Sequence, residues 1–183
     1  SLAHTLGTRP YTLTVSARDS VVTSLLTFGE GYHNYHHRFA ADYRNGVRRY
    51  HWDPTKWLIR GMAAMGWAWN LRRAPRERIV AAQLQCDTQR LLEKMKGASE
   101  QACAHVRERM SEIAAAVHRS ATRLGGLERE FAELRSKLGS APRHRISCLR
   151  AELRAARREF REALRRWYAV LAELQGQPLP QFA

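Results

Sequence analysis

The chain has no long apolar run. Nothing in its 183 residues approaches the ~18–20 consecutive apolar residues that cross a bilayer, and no signal peptide is visible at its start. The expectation is a chain that does not itself span a membrane but is free to lie against one. Cysteine is scarce. Cys86, Cys103 and Cys148 make an odd count with no CxxC pair, which suits a reduced, cytosol-facing chain in which each is a small apolar helix residue. Acid is scarce relative to base, with 17 Asp and Glu against 31 Lys and Arg. Such an excess points to anionic partners: phosphates, nucleic acid or an acidic membrane face. It is spread along the chain, with 10 basic and 4 acidic residues in 1–75 and 21 and 13 in 76–183. The chain opens on Ser1 rather than Met, as a processed form or a piece of a longer protein does.

What is present in excess, locally, is histidine. Three of the eight histidines fall within five residues, in Gly29-Glu30-Gly31-Tyr32-His33-Asn34-Tyr35-His36-His37. If the segment is helical, His33, His36 and His37 stand at i, i+3 and i+4 and share one face within about 100°. Neutral imidazole is a good nitrogen ligand for iron, zinc or copper, so three on one side can hold a metal. A bare HxxHH is also compatible with histidines that are merely packed or exposed. It is not the HExxH of zinc proteases, because no Glu lies between His33 and His36 to act as general base.

Around this run the chain reads as mostly helical. Residues 1–20 are mixed and polar, broken by Gly7 and Pro10, and Val21 to Phe28 is apolar. Gly29 and Gly31 are expected to leave the backbone loose about Glu30. Residues 40–54 read as loop, ending on Asp53 as N-cap and Pro54 as first helical residue. A helix from about Pro54 to Trp69 follows, rich in Trp and Met, with Arg72 and Arg73 after it. It suits a membrane interface or the core of a soluble domain.

Beyond Pro75 the pattern changes. Residues from Val106 through Met110, Ile113, Val117 and Leu124 to Leu138 recur with gaps of 4 and 3, and so do residues from Ile146 through Leu153, Phe160 and Trp167 to Leu174. Sustained alternation of this kind is a coiled-coil seam. Gly139-Ser140-Ala141-Pro142 stops the first run, and so short a connection predicts an antiparallel helical hairpin. Gly125-Gly126 reads as off the seam and as a bend costing about 2 kcal/mol. A helix over about 76–96, broken at Gly97, precedes the hairpin, and the tail with Pro178 and Pro180 is expected to fray. The arginines of 150–166 interleave with Glu152, Glu159 and Glu162 and read as a solvated face. His51, His105, His118 and His144 read as surface or interface histidines. The expected organisation is therefore 1–75 and a basic helical extension, 76–183.

Three segments carry a resemblance to a known family. Gly-Glu-Gly-Tyr-His33-Asn-Tyr-His36-His37-Arg-Phe resembles the third histidine box of the membrane fatty acyl-CoA desaturases of the stearoyl-CoA type. Ser1-Leu2-Ala3-His4 to Arg9-Pro10-Tyr11 resembles the Asn-Ser-x-x-His…Arg-Pro-Tyr segment after that family's last membrane helix. Trp52-Asp53-Pro54-Thr55-Lys56-Trp57-Leu58-Ile59 and Leu71 resemble the amphipathic stretch that ends its catalytic region. The resemblance covers about residues 1–75. It implies that 1–75 is the C-terminal cytosolic part of a membrane di-iron desaturase; with the antiparallel coiled-coil hairpin read above, the whole chain is expected to be all-α.

The resemblance also implies chemistry. Two iron ions are held by histidines from several boxes; His33, His36 and His37 match the third box, and His4 matches the isolated ligand histidine. The family's Asn in that segment would precede Ser1, and the first two boxes and the membrane helices are not in this sequence, so the metal site is incomplete here. A ligating His commonly donates its second N–H to a carboxylate or carbonyl. Glu30 is a candidate acceptor, or a solvated turn residue, and so is Asp42. Asn34 and Tyr35 either shape the surroundings of the ligands or simply pack. The implied activity is O2-dependent introduction of a cis double bond into a saturated acyl chain, on a fatty acyl-CoA or acyl-lipid substrate. Electrons would come from a small protein of the ferredoxin or cytochrome b5 type, and the fragment alone would be inactive. The basic surface of 1–75 would suit an acidic redox partner, the phosphates of CoA or anionic headgroups.

Two rival readings remain at this stage. The extension can be a binding module that self-associates through residues 99–175, lies on a membrane surface or, last in order, binds nucleic acid. A soluble zinc hydrolase built on His33, His36 and His37 is the other.

Overall fold

The structure, a computed structural model, describes residues 2–136 and 143–176. Among these residues the protein is all-α and has no strand. After a single 3-10 turn, Leu2–His4, come α1 (Val21–Leu26), α2 (His33–Arg38), α3 (Pro54–Ala64), α4 (Arg76–Lys94), α5 (Glu100–Ser136) and α6 (Arg143–Gln175). The chain forms two compact units, Ser1–Cys86 and Asp87–Ala183, which divide inside α4.

The first unit is rich in loops, and its short helices are fixed by polar side chains. Ser20 caps α1, its hydroxyl accepting from Thr23 N–H. Asp53 caps α3 as expected, with Oδ1 accepting from Lys56 N–H at 2.9 Å and Pro54 in the first turn. Helix α3 stops at Ala64, earlier than the expected Trp69. Gly66 takes φ +79, Trp67 N–H donates to the Met62 carbonyl and Gly66 N–H to that of Ala63. This double bond with a left-handed glycine terminates a helix, and Gly66 was the signal for it. Trp57, Leu58, Trp67 and Trp69 are exposed, as are Val21, Val22, Leu25, Leu26 and Phe28. The Trp-rich segment is therefore not a core helix of this unit. Its small core gathers Tyr11, Tyr35, Ile79 and Ala82, with Phe39, Val47 and Ala74 against it.

Two expectations about glycine are corrected. The backbone around Glu30 is tightly fitted. A Cβ on Gly31 would lie 2.0 Å from the backbone nitrogen of Ser24 in α1, and Gly29, at φ +103, lies against Asp53. Glycine is needed here because the chain passes too close to its neighbour for any side chain. In the second unit, α5 runs unbroken through Gly125-Gly126, and Gly125 is buried rather than off the seam.

The second unit is the antiparallel hairpin. Seam residues Val106, Met110, Val117 and Leu124 of α5 are buried, as are Leu149, Leu153, Phe160 and Trp167 of α6. Arg109 pairs with Glu173, Arg123 with Glu159 and Arg145 with Glu130, so partners move down α6 as they move up α5. These exposed pairs set register and add little to stability, because solvent screens them. The burial of the two apolar stripes supplies the stability. Leu138, the expected connection at 139–142 and the tail with Pro178 and Pro180 lie outside the described residues.

Candidate metal centre

Helix α2 is six residues long, too short to persist alone in water. Its first turn has no side-chain cap of its own. Asp19, from the preceding loop, supplies one: its Oδ1 accepts from Asn34 N–H at 2.8 Å and Tyr35 N–H at 3.1 Å. Burial raises the Asp19 carboxyl to about 6, against the pull of those two backbone N–H groups. The Asn34 side chain, fully buried, does the rest. Its Oδ1 accepts from Tyr11 N–H at 2.8 Å and Thr12 N–H at 3.2 Å. Its Nδ2 donates to the carbonyls of Thr12 at 2.8 Å and Ala17 at 3.0 Å. Tyr35 is also fully buried and donates its hydroxyl to Asp42 Oδ2 at 2.7 Å.

Locked in this way, α2 turns Asn34 and Tyr35 inward and leaves His36 and His37 exposed, with His33 half-buried. The rings gather on one side. The Nε2 atoms of His33 and His37 are 3.2 Å apart. The ring of His36 lies 6.3 Å from His33 and 6.2 Å from His37. His4, twenty-nine positions earlier in sequence, brings its ring to 5.2 Å from His33. Its Nδ1 is engaged by the Ser16 hydroxyl at 2.7 Å, which leaves Nε2 for another partner. Desolvation lowers the pKa of His33, and His37, His4 and His36 lower it further, against a small opposing effect of Glu30. The ring is thus biased toward the neutral form that ligates metals.

The donor set fits part of a metal site. Two nitrogens 3.2 Å apart subtend about 100° at an ion held at the roughly 2.0–2.1 Å of a zinc–imidazole bond. Without metal, the same separation is a hydrogen bond between the two rings. Among the described residues no three side chains are placed to hold one ion together. Further ligands, or a closing movement of His4 and His36, would be needed.

The other predicted residues fall in different places. Glu30 is exposed and lines a small cleft of about 120 Å³ with His33, His36 and Asn45. Asp42 does not serve the histidines. Its oxygens accept from the Tyr35 hydroxyl, the Arg44 guanidinium and the N–H groups of Arg44 and Ala74. Burial pushes that carboxyl up, but Arg44, Tyr35 and the two N–H groups outweigh it and hold it below the usual range. His51 is half-buried. It stacks on Tyr32 at 4.3 Å with its Nδ1 buried and without a partner. Burial, with Arg48 and Lys56 nearby, lowers its pKa to about 4. Ser16 and Asp19 were missed, because neither carries a local signal: each acts across more than ten residues of chain.

No family model matches the chain. It is, however, similar over about half its length to acyl-CoA desaturases. It is 40% identical over 94 residues to Acyl-CoA desaturase 1 of Saccharomyces cerevisiae, covering 51% of this chain and 18% of that protein. It is 52% identical over 75 residues to the Probable acyl-CoA desaturase of Schizosaccharomyces pombe, covering 41% and 16%. It is 41% identical over 81 residues to the Stearoyl-CoA desaturase of Homo sapiens, covering 44% and 23%. The chain thus spans about a fifth of the length of these relatives. The matched stretch is desaturase-type sequence, and nothing in these likenesses favours the binding-module or zinc-hydrolase readings.

Proposed function

We propose that His4, His33, His36 and His37 form part of the two-iron centre of a membrane acyl-CoA desaturase, of which this chain is the C-terminal part. The observation that carries the reading is the convergence of His4 on the histidine face of α2, at 5.2 Å from His33 across a long stretch of chain. Iron bound there would supply the activation of O2 needed to remove two hydrogens from an unactivated acyl chain. The residues of this chain would hold and aim the imidazoles. Asp19 and Asn34 fix α2, Ser16 orients His4, and Glu30, which lines the same small cleft as His33 and His36, would be the candidate acceptor for a ring N–H. Ligands beyond these four must come from elsewhere in the protein, so the isolated chain would be inactive.

Residues 1–75 would then close the catalytic region on the cytoplasmic side of the membrane, with 76–183 as an appended hairpin. No described helix is long and apolar enough to cross a bilayer. The exposed apolar side chains of α1 and of the segment 57–69 suit contact with lipid or with the missing membrane helices. The substrate would be a fatty acyl-CoA or acyl-lipid, and the electron donor a ferredoxin or cytochrome b5 type protein drawn to the basic surface. Self-association through 99–175 would exchange α6 between copies, because the seam is already filled within one chain.

The test is His36→Ala in the complete protein, expressed in a host that lacks its own desaturase. Loss of bound iron together with loss of unsaturated fatty acids is expected. Normal double-bond formation by that variant would overturn the reading.

A further inference from the structure

Helix α6 carries nine arginines against four glutamates. The glutamates are all engaged: Glu152 by Arg145, Glu159 by Arg123, Glu162 by Arg166 and Glu173 by Arg109. Arg157 pairs with Glu128 of α5. Arg150, Arg154, Arg158, Arg161 and Arg165 remain, all exposed and in no ion pair among the described residues. At about 100° per residue these five fall within an arc of about 80°, and they fill every position of that arc from 150 to 165. At about 1.5 Å per residue the row is about 22 Å long. It is turned roughly 130° from the buried seam of Leu149, Leu153, Phe160 and Trp167, so it faces away from α5, and no glutamate of α6 falls inside it.

A straight row of guanidinium charges without counter-charges suits a partner that presents many phosphates in a plane, since each arginine fork matches phosphate oxygens two at a time. The arc holds no aromatic ring on which a nucleic-acid base could stack. A duplex major groove, about 12 Å wide, would meet a helix about 10 Å across with phosphates on both flanks. One flank of α6 carries Glu152, Glu159 and Glu162, and the other is covered by α5. A flat anionic layer meets the arginines alone. The arc offers no apolar side chain to insert, so contact would be with headgroups only.

We propose that the arginine row of α6 lies against the anionic phospholipid headgroups of a bilayer surface, a second attachment made by the hairpin itself. The proposed function keeps the hairpin beside a membrane, and in choosing lipid as the partner the inference rests on that reading. Co-sedimentation of the whole chain with vesicles of phosphatidylcholine, with or without about a third of phosphatidylserine, tests it. Tighter retention on the anionic vesicles is expected at ~0.1 M salt. It should be lost toward ~1 M, as the Debye length falls from about 10 Å to about 3 Å. Arg154→Gln, Arg158→Gln and Arg161→Gln together should weaken retention at least about tenfold, since each basic residue at such a surface strengthens attachment roughly fivefold. The same change of charge on α5, Arg107→Gln with Arg119→Gln and Arg135→Gln, should weaken it less than about threefold. The exposed apolar side chains of the first unit are common to all three proteins, so the comparison isolates α6. Circular dichroism checks that each variant stays helical.

Equal weakening by the two triple variants, or equal retention of the parent chain on both kinds of vesicle, would overturn the surface and leave the histidine reading to its own test. Tighter binding of the parent chain to duplex DNA than to the anionic vesicles at the same salt would overturn lipid as the partner.

Discussion

Replacing Asn34 with alanine should destabilise the first unit more than any other polar-to-alanine change near the histidines. The side chain is fully buried and makes four hydrogen bonds to the backbone of residues 11–17. Two of these, with Tyr11 N–H and the Ala17 carbonyl, are inaccessible to water, and truncation orphans both backbone groups. A buried group left unsatisfied costs about 1–3 kcal/mol, so those two alone imply about 2–6 kcal/mol. The part-buried bonds to Thr12 add less, because water can reach that residue. A loss of this size is a large fraction of the roughly 5–15 kcal/mol that holds an ordinary domain. Tryptophan fluorescence during urea denaturation suits the measurement, since Trp52, Trp57, Trp67 and Trp69 all lie in the first unit and only Trp167 in the second. Amide exchange at Tyr11 and Thr12 should accelerate with it. Asn45→Ala, the same change at a half-buried loop position, should stay within about 0.5 kcal/mol. A cost for Asn34→Ala below about 1 kcal/mol, with both amides still protected, would refute the idea that this side chain ties the loop to α2.

Two acid-sensitive groups in the first unit should oppose one another. Asp19, raised to about 6 when folded, takes up a proton between pH 6 and 4 that the unfolded chain does not, so acidification relieves a penalty on the order of 3 kcal/mol. His51, lowered to about 4, stays neutral over pH 6.5 to 4 while the unfolded chain protonates, so acidification removes stability. Relative to the parent chain, Asp19→Asn should be more stable at pH 7 and lose that advantage by pH 4, whereas His51→Phe should gain its advantage as pH falls. Flat difference curves from chemical denaturation across this range would contradict both assignments. Glycine substitutions should divide sharply. Gly31→Ala, whose Cβ would sit 2.0 Å from Ser24 N, should abolish folding of the first unit; Gly61→Ala, with open space around it inside α3, should raise its stability by about 0.5–1 kcal/mol in thermal melts.

The parts of this molecule that were legible in the sequence are those written as local repetition. The gaps of 4 and 3 along α5 and α6 place Met110, Leu124, Leu149 and Trp167 in the seam, because each turn repeats the same choice of face. Asp53-Pro54 announces a helix start within two residues. The i, i+3, i+4 spacing likewise puts His33, His36 and His37 on one side of α2. What could not be read is what makes that six-residue helix exist. Asp19 caps it from fifteen residues away, and Asn34 binds a loop more than twenty residues before it. Gly31 is required only because α1 crosses at backbone contact distance. None of these leaves a periodic trace, since each is a single polar or small residue whose partner is set by the fold.

The same division governs function. Residue type declares the nitrogen-donor chemistry, whereas the position of each nitrogen depends on contacts such as His4 Nδ1 with Ser16. A helix too short to hold itself carries the imidazoles, so the geometry of the histidine cluster and the stability of the first unit rest on the same hydrogen bonds. Weakening Asn34 or Asp19 should therefore disturb the histidine cluster through misplacement, even though neither side chain touches an imidazole of it.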